Sequence, residues 1–465
     1  MNINKMSCPR IVIAGTESGV GKTSLTLALV AALKRRGLRV QTFKVGPDFL
    51  DPTYLALASG KPCYNLDGWM MGQDYCRRLF ARASQGADIA VIEGVMGLFD
   101  GADTSTSSGS TAEIARWLQA PVALIVNVHG MARSLAAVVK GFTEFEKDLN
   151  VAAVIANRCG SELHEAWLSD ALKAAALPPL AGGVPRGGLP HLPSRHLGLV
   201  TADDGNLTPE VLAALADAFD QHISVDKILA LAQGAPALDI TAPEGTLPQK
   251  QISLGVAWDE AFHFYYQDLF DELALRGCTV QRFSPLRDSR LPTGLDALYF
   301  GGGYPELHSE ALSANVNMLA DIRAFAASGR PVYAECGGLM YLCELLETKE
   351  GKSYPMAGLV PGAVQMLDRL KTLGYVEVTL KNKSLWGPPG AVLRGHEFHY
   401  SQLIGDPVGR DGWNNAYYLK KCRSEVSSPD GFQRGRVLAS YVHLHLASRP
   451  EAVDHFVNQC RARHD

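Results

Sequence analysis

The sequence predicts an α/β protein of two domains, each centred on a sheet, and three observations carry that prediction. Short β-branched runs alternate with amphipathic helical segments through the first half of the chain. A glycine-rich turn ending in Gly21-Lys22-Thr23 joins the first of these runs to the first helix. A proline-bearing stretch near the middle interrupts the pattern, and a second series of strands follows it. The length, 465 residues, agrees with two domains, since it exceeds what a single core ordinarily serves.

Taken in order, "RIVIAG" (10–15), "VQTFKVG" (40–46), "DIAVIEG" (88–94), "PVALIVN" (121–127) and "VAAVIAN" (151–157) read as buried strands, each closing on Gly or Asn. Between the first two, "TSLTLALVAALKRR" places Leu25, Ala28, Leu29 and Ala32 at helical spacing and stops at Gly37. Strand–helix alternation of this kind implies a parallel sheet with crossover helices. A linker is expected at 236–250, within "QGAPALDITAPEGTLPQKQ", separating a domain over 1–235 from one over 251–465. The second domain opens with "ISLGVAWD" and continues through "CTVQRF", "DALYFGGG", "PVYAEC", "TLGYVEVTL" and "VLASYVHLHLA", with helices near 264–276 and 309–328.

The formal net charge is −4 with both signs interspersed, which argues against a nucleic-acid partner or a membrane surface. Nine cysteines are scattered without Cys-x-x-Cys or zinc spacing, and there is no secretory apolar core. Apolar runs such as "APVALIVNVHGMA" are cut by Asn127 and His129 before they could span a bilayer. Reduced, mostly buried thiols in a cytoplasmic protein are expected.

The stretch "GTESGVGKTS" (15–24) sits between strand and helix. Gly19 and Gly21 let backbone amides wrap an anion at the helix start. Lys22 would neutralise the β- and γ-phosphates, and Thr23 would offer its hydroxyl to Mg²⁺. Thr16 stands where the first glycine of the strict phosphate-loop pattern belongs. Two further strand ends carry acids: "KVGPDFLDP" (44–52) has Lys44, Asp48 and Asp51, and "VIEGVMGLFDG" (91–101) has Glu93 and Asp100. Ligands of such sheets bind at strand C-termini, and Mg²⁺ beside a triphosphate needs hard oxygens, so Glu93 is the expected metal partner. Taken singly, each acid is as often a turn residue or cap. Asn157 ends the last strand, where a purine-contacting Asn occurs in related folds.

In the second domain, "DALYFGGGYPE" (296–306) opens a strand into three glycines, and "PVYAECGGLMYL" (331–342) runs strand, Cys336, Gly-Gly, helix, with Leu339, Leu342 and Leu346 on the helix. A thiol at a helix start favours the thiolate, which is the nucleophile. The amides of Gly337 and of Gly302 or Gly303 would face an oxyanion. A base is then required, and "ASYVHLHLAS" (439–448), read as one strand, puts Tyr441, His443 and His445 on one face. A lone buried cysteine is usually packing; the conjunction with the glycine-rich strand end and the late histidine favours catalysis.

With both sites in view, the chain resembles the cobyrinic acid a,c-diamide synthase family, glutamine-dependent amidotransferases of corrinoid biosynthesis. The resemblance runs in order through "GTESGVGKT", "FKVGPDFLDPTY", "NLDGWMM", "EGVMGLFDG", "NVHGMARS", "RHLGLV", "GGGYPEL", "AECGGLMYL", "GHEFHYS" and "SYVHLHLAS". The N-terminal half looks like the dethiobiotin synthetase group of P-loop enzymes, which tolerates Thr16, and the C-terminal half like a class I glutaminase. The resemblance implies that Cys336 attacks glutamine with His443 as base, with Gly337 and Gly303 at the oxyanion. ATP with Mg²⁺ would phosphorylate a peripheral acetate of a corrinoid, and ammonia would displace the phosphate, at a and then c. It implies that Thr16, Gly19, Gly21, Lys22, Thr23 and Asn157 hold the nucleotide, and that Thr23 and Glu93 hold the metal. Asp48, Asp51 and Asp100 would help to bind the metal or the substrate and position its carboxylate, and Phe49 and Leu50 would touch the substrate. Phe49 replaces a common Tyr, and Asn127 a common Asp, so Asn127 has no assigned role. Class I glutaminases usually carry His-x-Glu; here the spacing reads His443-x-His445, with the acid missing.

Cobyrate synthase pairs the same kinds of domain, and hydrogenobyrinate and nickel-sirohydrochlorin are related substrates; "KVGPDFLDP" and the Cys-Gly-Gly turn favour the a,c-diamide reading. A non-catalytic nucleotide-switch protein with a degenerate second domain would have no need to keep both Cys336 and a candidate base. An ammonia-only ligase with a dead glutaminase is a third reading, and a homodimer is an assembly the sequence leaves open.

Overall fold

A computed structural model describes residues 3–192, 194–195, 198–199, 207–241 and 251–462, and divides into compact units Met1–Pro243 and Glu244–Asp465. Residues 242–250 of the expected linker, and parts of the "RHLGLV" motif, lie outside the described residues.

The first unit is built on seven parallel strands: β1 (Arg10–Gly15), β2 (Val40–Val45), β3 (Tyr64–Leu66), β4 (Ile89–Glu93), β5 (Val122–Asn127), β6 (Val151–Cys159) and β7 (Leu180–Pro185), in the order β3-β2-β4-β1-β5-β6-β7. Helices cover both faces, which is why the strands read as continuous apolar runs. Helix α1 (Lys22–Arg35) buries Leu25, Ala28, Leu29 and Ala32 in a core that includes Ile11, Val40 and Val91. Register aligns the C-terminal ends of the central strands: Lys44 pairs with Glu93, and Ile13 with Glu93 from the other side. The phosphate loop and both acidic loops therefore leave one edge of the sheet, at its centre.

The ordered N-terminal unit continues past residue 235, where the linker was expected to begin. Leu238–Thr241 pairs antiparallel with Ile3–Met6, and the fully buried Arg10 donates to Pro236 O at 2.6 Å. A buried guanidinium needs such acceptors, so this segment belongs to the fold.

The second unit holds a ten-stranded mixed sheet: β8 (Ile252–Ala257), β9 (Cys278–Phe283), β10 (Ala297–Phe300), β11 (Val332–Glu335), β12 (Thr372–Leu380), β13 (Val392–His399), β14 (Asn414–Lys421), β15 (Ser427–Arg434), β16 (Val437–Ser440) and β17 (His443–His445), in the order β9-β8-β10-β11-β16-β15-β14-β12-β13-β17. From β9 to β16 neighbours are parallel; the remaining pairs are antiparallel. A smaller four-stranded sheet includes Cys343–Glu347.

Three expectations are corrected here. The single strand expected over 439–448 is two: β16 lies beside β11, and Tyr441 and Val442 carry the chain across so that β17 pairs with β13. The helix after Cys336, α3 (Gly337–Leu342), ends before Leu346, which lies on a strand. The helix expected over 309–328 breaks at Asn315, whose Oδ1 caps Val316–Ala327 by accepting from Met318 N; an Asn able to cap competes with helix continuation.

Candidate functional site

In the first unit, the loop between β1 and α1 turns at Gly19 (φ 76°) and Gly21 (φ 102°). Its outer wall is braced by neighbouring strands: Thr16 N donates to Ile125 O at 3.1 Å, and Asn157 Nδ2 donates to Val20 O at 2.8 Å. Asn157 thus supports the loop from beneath, with its Oδ1 accepting from Arg158 N. Lys22 curls over the loop and donates to Glu17 O at 2.9 Å. Burial, and the charge of Lys44, pull the Lys22 ammonium down to about 8.

Below the loop is a buried charge cluster. Lys44 Nζ donates to Asp51 Oδ2 at 2.6 Å and to Glu93 Oε1 at 2.7 Å. Thr23 Oγ1 donates to Glu93 Oε1 at 2.7 Å and lies 3.3 Å from Asp51 Oδ2. Burial opposes the Lys44 charge, but Asp51 and Glu93 outweigh it and hold the ammonium above its usual range. Burial pushes the Glu93 carboxyl up to about 7, against the pull of Lys44. Asp48 is pushed up to about 6 by burial and by Asp51; its Oδ1 accepts from the amides of Leu50 and Asp51 and so starts α2 (Asp51–Ser59). Phe49 and Leu50 sit half-buried on the turn between the two aspartates. Asp100 Oδ2 accepts from Gly97 N at 2.8 Å, closing the β4 loop. Lys44, to which the sequence attached no role, is the centre of this cluster.

The donor set fits Mg²⁺. Thr23, Asp51 and Glu93 supply hard oxygens, and no hydrogen bond reaches the buried Oε2 of Glu93. Among the described residues no group of three or more His, Cys, Asp or Glu forms a metal cage, but Mg²⁺ held largely by phosphates needs only one or two carboxylates.

In the second unit, Cys336 stands between β11 and α3 with φ 47° and ψ −103°. A side chain in this region is strained; the turn is held by Cys336 N donating to Ser440 O at 2.7 Å. The elbow lifts the thiol toward β17. There the Cys336 thiol, whose Sγ lies 3.8 Å from Phe398 O, acts electrostatically on the buried His443, whose Cε1–Nε2 edge lies against Gly302, where a Cβ would come within 2.5 Å of Cε1. Gly303 has φ 155°, and its N–H lies beside the Cα of Gly337, where a Cβ would approach it to 3.0 Å. The two amides expected at an oxyanion are thus neighbours.

A carboxylate approaches His443 from another strand, on the residue before Cys336. Glu335 Oε2 lies 3.8 Å from His443 Nδ1, with side chains 4% and 2% exposed. Burial disfavours the imidazolium, but Cys336 and Glu335 outweigh it and raise His443 to about 9. His445 turns away to Asp268, 3.6 Å from Oδ1. Glu335 was visible in "AECGG", but its local position at the end of an apolar strand gave no hint of a histidine partner. All nine cysteines are free, and among the described residues no helix is long and apolar enough to cross a membrane.

A phosphate loop on a parallel sheet and a thiol elbow beside a buried histidine mark a nucleotide-binding glutamine amidotransferase. The family described as the CobQ/CobB/MinD/ParA nucleotide binding domain matches residues 11–199, and that described as the CobB/CobQ-like glutamine amidotransferase domain matches residues 253–451. Proteins named "Cobyrinate a,c-diamide synthase" align with nearly the whole chain: 57% identity with that of Syntrophotalea carbinolica (98% of this chain, 99% of the relative), 41% with that of Priestia megaterium (98% and 98%) and 40% with that of Salmonella typhimurium (97% and 98%). The chain belongs to the cobyrinate a,c-diamide synthase family.

Proposed function

We propose that the protein amidates the a and c acetate carboxylates of cobyrinate, using ATP and ammonia released from glutamine. The observation that carries the reading is the Cys336 elbow with His443 against its thiol, on a chain that also holds the Lys22–Thr23 phosphate loop.

In the glutaminase unit, Cys336 passes its proton to His443 and attacks the glutamine carboxamide carbon. The oxyanion that forms is stabilised by the Gly303 and Gly337 amides. His443 then protonates the departing nitrogen, releasing ammonia and leaving a thioester, and next takes a proton from the water that cleaves it. In the synthetase unit, Thr16, Gly19, Gly21, Lys22 and Thr23 hold the triphosphate, with Asn157 bracing the loop. Thr23 and Glu93 would hold Mg²⁺, which when bound offsets phosphate charge. Phosphoryl transfer to a substrate acetate gives an acyl phosphate, and ammonia attacks its carbonyl carbon and expels phosphate. Lys44, Asp48, Asp51 and Asp100 lie at the same strand ends and would orient that acetate, with Phe49 and Leu50 against the macrocycle. The reading carries with it a cytoplasmic enzyme.

Mass spectrometry of products tests it. Cobyrinate, hydrogenobyrinate and nickel-sirohydrochlorin are each incubated with ATP, Mg²⁺ and glutamine. Each carboxyl converted to amide lowers the mass by about 1 Da, so cobyrinate should lose about 2 Da at completion. Conversion of another macrocycle with cobyrinate untouched would reassign the substrate; no conversion and no glutamine hydrolysis would return the nucleotide-switch reading.

A further inference from the structure

We propose that Glu335 is the positioning residue for His443 in glutamine hydrolysis, the part an acid two residues beyond the histidine plays where His-x-Glu occurs. The inference rests on the glutaminase reading above and adds to it a residue on a different strand.

Glu335 is oriented from three sides. Its Oε2 accepts from Tyr299 OH at 2.8 Å, and its Oε1 from Tyr333 OH at 2.5 Å and from Leu444 N at 3.0 Å. All three donors are neutral hydroxyls or an amide, and they aim the carboxyl group at the imidazole, with Oε2 3.8 Å from Nδ1. That separation is inside ion-pair range and beyond a full hydrogen bond; catalytic contacts of this kind commonly tighten when substrate binds. The Leu444 bond locks the acid to the strand that carries His443. A carboxylate at Nδ1 favours the proton there and leaves Nε2 to exchange protons with the thiol and the leaving nitrogen.

The other groups around His443 do not supply this charge. His396 on β13 stacks on its ring at 4.9 Å, and burial keeps His396 neutral. His396 Nδ1 meets Tyr266 OH at 3.1 Å. His445, on β17 itself, faces Asp268 and packs its ring on Tyr266 at 4.4 Å. Cys336 is the reacting partner. Among these described neighbours, Glu335 is the acid within ion-pair range of His443.

Glu335→Gln tests this, because the amide keeps the size and accepting capacity of the side chain and removes the charge. Steady-state glutamine hydrolysis is measured across pH, with circular dichroism and thermal unfolding of the full chain as the check on folding. The expected result is a kcat about 10–100-fold lower with KM for glutamine within about twofold. The alkaline limb of kcat, near 9 in the parent by the His443 ionisation, should move down by about one pH unit, because loss of the anion releases the imidazolium proton earlier. An unchanged limb and kcat in a folded Glu335→Gln overturns the proposal, as does a shift produced by Asp268→Asn and not by Glu335→Gln. If the parent itself hydrolyses no glutamine, the glutaminase reading falls first. Nitrogen-15 NMR of the labelled parent serves if Glu335→Gln does not fold: neutral His443 protonated at Nδ1 supports the proposal, and protonation at Nε2 overturns it.

Discussion

The Lys44 ammonium stands 2.7 Å from Oε1 of Glu93, and the two residues are register partners on adjacent parallel strands with side chains 3% and 0% exposed. A buried ion pair is weak evidence for net stability, but removing one partner strands the other in low dielectric. Lys44→Met should therefore destabilise the N-terminal unit by about 3–5 kcal/mol, since both Glu93 and Asp51 lose their cation. Calorimetry should show one transition moved to lower temperature, with amidation lost and glutamine hydrolysis retained. A thermal profile identical to the parent's would contradict the assigned pairing.

Lys22 must be charged to receive a polyphosphate, and burial with the nearby Lys44 lowers it to about 8. Below that pH the free protein already carries the proton. Above it, binding must take one up, so KM for ATP should rise about tenfold per pH unit. Calorimetric ATP titrations at about pH 9 in buffers of different ionisation enthalpy should reveal uptake approaching one proton. No proton uptake would place the ionisation of Lys22 elsewhere.

Cys336→Ser should abolish glutamine-dependent amidation, by about 10³-fold or more, and leave amidation with ammonium chloride near the parent rate. The two activities use different units of the chain, so a parallel loss of both would mean that the substitution acts through folding. Retention of glutamine-dependent activity would exclude Cys336 as nucleophile.

Gly303 carries φ 155°, and a Cβ there would lie 2.1 Å from the Ala261 carbonyl oxygen. Gly303→Ala must displace the segment whose amide faces the elbow. Loss of one oxyanion donor costs about 10²–10³ in kcat, so hydrolysis should fall by that order while ammonium-dependent amidation persists. Unaltered glutaminase kinetics would remove this amide from the mechanism.

Much of the first sheet was legible locally. "RIVIAG" is β1 residue for residue, and α1 begins at Lys22, one residue before the expected start. Parallel strands buried on both faces write themselves as apolar runs. The antiparallel half of the second unit was far less visible. "GHEFHYS", within β13 and the strand after it, mixes charge, aromatic rings and glycine, because these strands line a polar site and do not alternate cleanly. "ASYVHLHLAS" looked like one strand because nothing in its pattern marks Tyr441 and Val442 as a crossing between two sheet positions.

The sequence by itself determined the two-unit α/β architecture, the phosphate loop and the thiol elbow, since each is a short-range pattern of backbone freedom and apolar spacing. Only the tertiary structure decided which groups share a charge. Lys44 meets Glu93 through strand register, and Glu335 meets its partners on β17 through a contact spanning 109 residues, from Glu335 to Leu444. Such pairings depend on how strands are ordered in the sheet, and a single chain of letters does not carry that order. An acid facing His443 stands one residue before Cys336, on a strand far from His443 in the sequence.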